Sequence, residues 1–288
     1  MKISLSRYAG FCEGVRRAHE IISSFNMATA KTPVCILGAL VHNIAVNQKV
    51  EQKGIQKITR EEFFSAPQGA IGTLIITAHG TGPDVFQKAR EKNIVIIDTT
   101  CPKVVKVQKL AKFFSKIKYN IVILGDREHK EVRGIDDWGG GKATIISNEN
   151  DLKNVDLSQA KKIAVLSQTT QNEMFFKKAT RRIRNLYPVK TVKMFNTTCE
   201  TTQKRQNEVK VLARKNNVVL IIGSGTSANS HRLWEISSTL NPKSYFIDNA
   251  RDIDKSWFAG KTTIGVTAGA STPPWVVKEV IGYINNVY

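Results

Sequence analysis

The sequence predicts an α/β protein of three pseudo-threefold-related lobes, each with a mainly parallel sheet flanked by helices, around a central cavity. Three observations predict it. Cys12, Cys101 and Cys199 each stand where a short strand-like run gives way to a basic, helix-patterned segment. A second apolar run then ends in Gly38, Gly125 and Gly223, at 26, 24 and 24 residues past the respective cysteine. A third run ends in small or polar residues around His79, Thr169 and Ser271, at 41, 44 and 48 residues past those glycines. This is a repeat of roughly 90–100 residues, the signature of a unit used three times. Apolar runs alternating with helical segments imply parallel strands joined by right-handed crossovers.

In chain order, the first lobe is expected over residues 13–99, the second over 100–197 and the third over 198–288, completed by the N-terminal strand within 1–12. Lys2–Leu5, Ile94–Ile97 and Thr191–Phe195 read as strands that each lead toward a cysteine. Helical patterning follows, to about Phe25, Lys116 and Lys215. Pro102 suits a first helical position, because its missing N–H is one that a helix start leaves unbonded. That puts Cys101 at a strand-to-helix turn, where a thiolate is favoured. The runs 34–38, 121–125 and 219–223, each ending in its glycine, hold the second strands, and the runs 74–80, 163–170 and 263–271, each ending in small or polar residues, hold the third. In parallel sheets, ligands sit beyond the carboxyl ends of the strands. The conspicuous polar groups fall there: His42, His129 and Ser227 four residues past each glycine, then Glu131 and Asn229 two residues further on.

Bulk properties exclude several classes. At 288 residues, 41% hydrophobic and 8% aromatic, the chain can bury an ordinary globular core without disulfide staples. No apolar run reaches the ~18 residues that a membrane span needs. Met1–Ser6 lacks the apolar core of a signal peptide, so a cytoplasmic protein is expected. The net charge of +19 suits an acidic protein partner, a phosphorylated substrate or nucleic acid. The basic residues are spread along the chain and no nucleic-acid motif accompanies them, so neither nucleic acid nor a membrane is an expected partner.

Four cysteines in a cytosolic chain point to metal binding or catalysis rather than to a disulfide framework. Cys35, inside Val-Cys-Ile-Leu, reads as a core residue. The other three occupy equivalent turns and suit a soft metal site. Zinc with a further ligand or water, and an iron–sulfur cluster with one iron lacking a protein ligand, are both open. His42, His79 and His129, with Ser227, Asn229 and Ser271 as donors, suit a pocket for a diphosphate. There is no GxxxxGK[ST] loop and no HExxH motif. Glu131 is either a solvated acid in a basic loop or a proton donor beside the Thr169 hydroxyl. His19 and His231 read as surface residues.

Nine segments, taken in order, resemble the motifs of the 4-hydroxy-3-methylbut-2-enyl diphosphate reductase family. They are GFCEGV at 10–15, LVHN at 40–43, AHG at 78–80, DTTCP at 98–102, HKEV at 129–132, QTT at 168–170, NTTC at 196–199, SANS at 227–230 and AGAS at 268–271. The resemblance implies a three-lobed fold and one [4Fe–4S] cluster held by Cys12, Cys101 and Cys199. It implies that His42, His79, His129, Thr169, Ser227, Asn229 and Ser271 bind the substrate, with Glu131 and Thr169 supplying the proton. The implied reaction is reductive dehydroxylation of 4-hydroxy-3-methylbut-2-enyl diphosphate to isopentenyl and dimethylallyl diphosphate, using two electrons and two protons. An acidic electron donor, a ferredoxin or flavodoxin, is the implied partner. Two positions depart from the pattern. Ala228 stands where many members carry a second serine. Lys130 stands where the pattern has proline, so its ammonium either adds attraction for a diphosphate or alters the rigidity of the loop. The alternative reading is a zinc-dependent hydrolase of a phosphorylated substrate. A nucleic-acid-binding protein ranks last, since it offers no reason for three equivalent cysteines.

Overall fold

The structure, a computed structural model, describes residues 1–188, 191–260 and 263–287. The chain divides into two compact units, one of Met1–His19, Val41–Lys49 and Glu200–Tyr288, the other of Glu20–Leu40 and Val50–Cys199.

The elements alternate as the repeat requires. First come β1 (Lys2–Leu5), α1 (Glu13–Ser24), β2 (Val34–Leu37), α2 (Ile44–Gln52), β3 (Gln56–Ile58), α3 (Arg60–Ser65), β4 (Thr73–Ile76), α4 (Pro83–Glu91) and β5 (Val95–Asp98). Next are α5 (Pro102–Lys116), β6 (Asn120–Leu124), α6 (Lys130–Trp138), β7 (Thr144–Ile146), α7 (Glu149–Asn154), β8 (Lys162–Ser167), α8 (Glu173–Leu186) and β9 (Thr191–Met194). The chain closes with α9 (Glu200–Lys215), β10 (Val218–Ile222), α10 (Ala228–Leu240), β11 (Ser244–Ile247), β12 (Thr263–Ala268) and α11 (Pro274–Val287).

Among the described residues the strands form three four-stranded sheets, ordered β3-β2-β4-β5, β7-β6-β8-β9 and β11-β10-β12-β1. Every pair is parallel. Each sheet therefore has the same order, second-first-third-fourth, counting strands from the helix that follows a cysteine. The third sheet takes its fourth strand, β1, from the N-terminus. Central strands are buried on both faces, as parallel sheets between helix layers require. Along β10, Val218, Leu220 and Ile222 pack into one apolar cluster and Val219 and Ile221 into another. Along β6, Val122 and Leu124 face one cluster, Ile121 and Ile123 the other. This is the two-residue period of a strand, with both faces apolar.

Helix starts follow from local chemistry. Pro102 and Pro83 open α5 and α4 within the first two positions. Thr59 and Glu62 form a capping box on α3, and Asn172 caps α8. Predicted strand edges lie within one residue of those observed at β1, β5 and β9, and predicted helix ends within one residue at α1, α5 and α9. Among the described residues, no helix is long and apolar enough to cross a membrane.

Candidate active site

Cys12, Cys101 and Cys199 occupy equivalent seats. Each immediately precedes its helix, α1, α5 or α9. Each donates its backbone N–H to a carbonyl two residues past the third strand of its sheet: Cys12 to Ala270, Cys101 to Ala78 and Cys199 to Thr169, at 3.1, 3.0 and 2.8 Å. The Cys12 sulfur also accepts from the Val15 N–H at 3.5 Å, as a helix N-cap does. These three cysteines are partly exposed, whereas Cys35 is buried inside β2. Burial raises the Cys35 thiol pKa and so keeps it protonated. Cys35 is thus a core residue, as its sequence context predicts.

In the unit holding the first two sheets, Glu131 lies in the first turn of α6 and is only 2% exposed. Its carboxylate receives the Thr169 N–H on Oε1 at 2.6 Å and the Thr169 hydroxyl on Oε2 at 2.9 Å. Burial raises its pKa to about 7, against the opposing pull of those two hydrogen bonds. The solvated-acid reading of Glu131 is excluded. Its neighbour His129 caps α6, with Nδ1 accepting from the Glu131 N–H at 3.1 Å. That bond requires an unprotonated Nδ1, so a neutral ring carries its proton on Nε2 and offers it as a donor. The His79 ring stands edge-on to His129, with centroids 5.3 Å apart.

The loop ahead of His129 is tied by Gln168. Its N–H bonds to the Leu124 carbonyl and its Oε1 accepts from the Asp126 N–H. The Lys130 ammonium lies over Gly38 at the end of β2, where a Cβ would overlap it. Gly38 has φ +84°, a backbone that L side chains rarely adopt, so glycine suits both requirements. Desolvation first, then the charges of Lys57 and Arg133, lower the Lys130 pKa. Lys130 therefore bridges the α6 start and β2.

In the other unit, Ser227 caps α10, its Oγ accepting from the Ser230 N–H. The Ser271 hydroxyl lies 3.0 Å from the His42 carbonyl and 3.4 Å from Ser227 Oγ. Asn229, 5% exposed, has both amide atoms buried without a hydrogen-bond partner among the described residues. A buried amide left unbonded costs free energy, which a polar ligand would recover. The same unit gives two further histidines their neighbours. His19 is half-buried between Phe11 and Trp275, at 5.4 and 5.7 Å between centroids. His231 is half-buried, stacked on Phe246 and 2.6 Å from the Gly225 carbonyl. Both pack against aromatic rings that their own sequence neighbourhoods do not reveal.

Sequence reasoning overlooked Arg205. It is 2% exposed in α9 and donates to the carbonyls of Gly10 and Ala268. The available signal was a lone arginine where the equivalent helices carry Ala18 and Val107, each six residues past its cysteine.

Comparison with known proteins agrees with this architecture. Residues 3–285 match the family model described as LytB protein. The chain is 36% identical over 287 residues to the 4-hydroxy-3-methylbut-2-enyl diphosphate reductase of Pelobacter propionicus, covering 100% of this chain and 99% of that one. It is 36% identical over 281 residues to the enzyme of that name from Geobacter sulfurreducens, covering 98% and 96%. The solved structure of the Plasmodium falciparum E-1-hydroxy-2-methyl-but-2-enyl-4-diphosphate reductase superposes with a TM-score of 0.88 at 28% identity, covering 99% of this chain and 87% of that one. A structure described as the terminal enzyme of the non-mevalonate pathway superposes with a TM-score of 0.69 at 34% identity, covering 99% of both chains. With these matches running along almost its whole length, the chain belongs to the LytB family of reductases.

Proposed function

We propose that this chain reduces 4-hydroxy-3-methylbut-2-enyl diphosphate to isopentenyl and dimethylallyl diphosphate, with a [4Fe–4S] cluster held by Cys12, Cys101 and Cys199. The observation that carries the reading is the equivalence of the three cysteine seats, within a family whose relatives bear that enzyme name. The donor set fits the group: three partly exposed thiols, each immediately ahead of a helix. When bound, such a cluster supplies one-electron steps and an iron that no protein residue ligates.

The rest of the chemistry falls to the chain. Overall, substrate, two electrons and two protons give product and water. Glu131, with a pKa of about 7, is available in its protonated form near neutral pH. In that form its proton passes to Thr169 Oγ1, and the Thr169 hydroxyl turns its own proton toward the departing substrate hydroxyl. The second proton goes to carbon. Ser227, Asn229 and Ser271 bind the diphosphate, and the partnerless Asn229 amide supports this role. His42, His79 and His129 complete the anion site, with His129 donating from Nε2.

The lobe division at 13–99, 100–197 and 198–288, with 1–12 completing the third lobe, is part of this proposal. The matching strand orders support it. So is an acidic electron donor, a ferredoxin or flavodoxin. The net charge of +19 supports it, as does α5, which begins after Cys101 and exposes Lys103, Lys106, Lys109, Lys112 and Lys116. A thiolate-held cluster also suits the reducing cytoplasm.

Anaerobic purification tests the reading. Iron and sulfide in near-equal amounts, a brown colour bleached by dithionite and conversion of the allylic diphosphate are expected. A colourless zinc protein that hydrolyses phosphate esters would overturn it.

A further inference from the structure

The three cysteine seats differ in one respect. In the first two sheets, the residue two before the cysteine is a threonine whose hydroxyl donates to the carbonyl of the last residue of the third strand. Thr99 Oγ1 bonds to the Ile76 carbonyl at 2.6 Å, and Thr197 Oγ1 to the Ser167 carbonyl at 2.5 Å. In the third sheet the corresponding residue is Gly10, which has no side chain. Its φ is +91°, a backbone that L side chains rarely adopt, so a threonine would be strained. The corresponding carbonyl, that of Ala268, is met from a different direction. Arg205 Nη1 donates to it at 2.9 Å, and Nη2 donates to the Gly10 carbonyl at 2.6 Å.

We propose that Arg205 is a positioning residue for Cys12, replacing the threonine clamp of the other two seats and placing a buried positive charge at the Cys12 seat, where the equivalent helix positions at the other two repeats carry none. The guanidinium fork joins the two segments that form the seat. One carries Gly10 and then Cys12; the other carries Ala268 and then Ala270, whose carbonyl receives the Cys12 N–H. The equivalent helix positions, Ala18 and Val107, are 0% and 1% exposed and carry no charge. Guanidinium keeps its proton when buried, and its planar fork suits two carbonyls at once. Because the charge sits beside a cluster ligand, it favours the reduced, more negative state of a bound cluster.

The charge effect rests on Cys12 being a ligand; the clamp does not. Hydrogen–deuterium exchange on anaerobic holoenzyme, read on peptides spanning residues 8–15, 99–105 and 197–203, tests the clamp. In Arg205→Met, the Cys12 peptide exchanges about tenfold faster or more, since one charge-assisted hydrogen bond is itself worth about that factor. The other two peptides stay unchanged. Arg205→Lys, whose single ammonium replaces the fork, gives an intermediate rate. The cluster midpoint potential falls in Arg205→Met and stays near the parent value in Arg205→Lys. Equal exchange in the parent and in whichever variants fold, or equal acceleration of all three peptides, overturns the clamp. Unchanged iron content in Cys12→Ser overturns the ligand reading and leaves the exchange result to stand on its own.

Discussion

Replacing Glu131 with glutamine should stabilise the protein at alkaline pH while slowing turnover. The carboxyl titrates at about 7 in the fold against an ordinary 4.5, a difference of about 2.5 units, worth roughly 3 kcal/mol at 1.36 kcal/mol per unit. The sign follows from linkage. The folded state binds this proton more tightly than the unfolded chain does. The contribution of Glu131 to stability is therefore most favourable below pH 4.5, declines between 4.5 and 7, and levels off above 7. Above pH 7 the parent protein carries a buried charge that Glu131→Gln does not. The glutamine retains both contacts, accepting the Thr169 N–H on Oε1 and donating from Nε2 to the Thr169 hydroxyl. Thermal unfolding of anaerobic holoenzyme should place the variant higher at pH 8, by about 6 °C if 1 kcal/mol shifts Tm by roughly 2 °C in a chain of this size. At pH 5 the gap should largely close. Turnover should fall by about 10²–10⁴, the range for loss of a general acid. A Tm difference independent of pH, or a variant less stable at pH 8, would refute the buried-charge account. Near-normal turnover would refute the proton-donor role.

Three further outcomes follow from the same geometry. Asn229→Ala removes a buried amide that has no hydrogen-bond partner, so KM for the diphosphate should rise at least tenfold while Tm is unchanged or higher; a fall in Tm with unchanged KM would contradict this. Cys35→Ser should leave iron and sulfide unchanged but destabilise the core by about 1–3 kcal/mol, because a hydroxyl replaces a thiol within β2; loss of iron would show the ligand set to be wrong. Lys106→Glu with Lys109→Glu, on the exposed face of α5, should slow reduction by an acidic donor and flatten its ionic-strength dependence, leaving reduction by dithionite unaltered; an unchanged rate with the protein donor would remove α5 from the docking face.

The third sheet shows how far a linear reading reaches. Strands β2, β6 and β10 were legible because apolar runs and their terminal glycines are local signals. That the N-terminal strand completes the third lobe was an expectation from the repeat; the order of strands within each sheet came only with the structure. Lys130 departs from the family pattern, yet the chain alone leaves two effects open. Its ammonium lies against Gly38, a residue 92 positions earlier, which makes it a bridge between two elements. Arg205 drew no notice, since one arginine in a basic helix resembles its solvated neighbours until its burial is known.

By itself the sequence determined the threefold repeat, the alternation of strands and helices, and which cysteines, histidines and carboxylate sit at strand ends. Those properties depend on side-chain identity and on periods of two and 3.6 residues, which neighbours along the chain set. The tertiary structure alone decided what those groups are chemically. The raised pKa of Glu131 comes from desolvation, with both hydrogen bonds supplied by Thr169, 38 residues away. The Nε2 tautomer of His129 depends on a helix start, the open Asn229 amide on burial, and the Cys12 seat on an arginine 193 positions further along the chain. Desolvation and long-range hydrogen bonds exist only once distant segments have met, so they leave no pattern in the sequence to read.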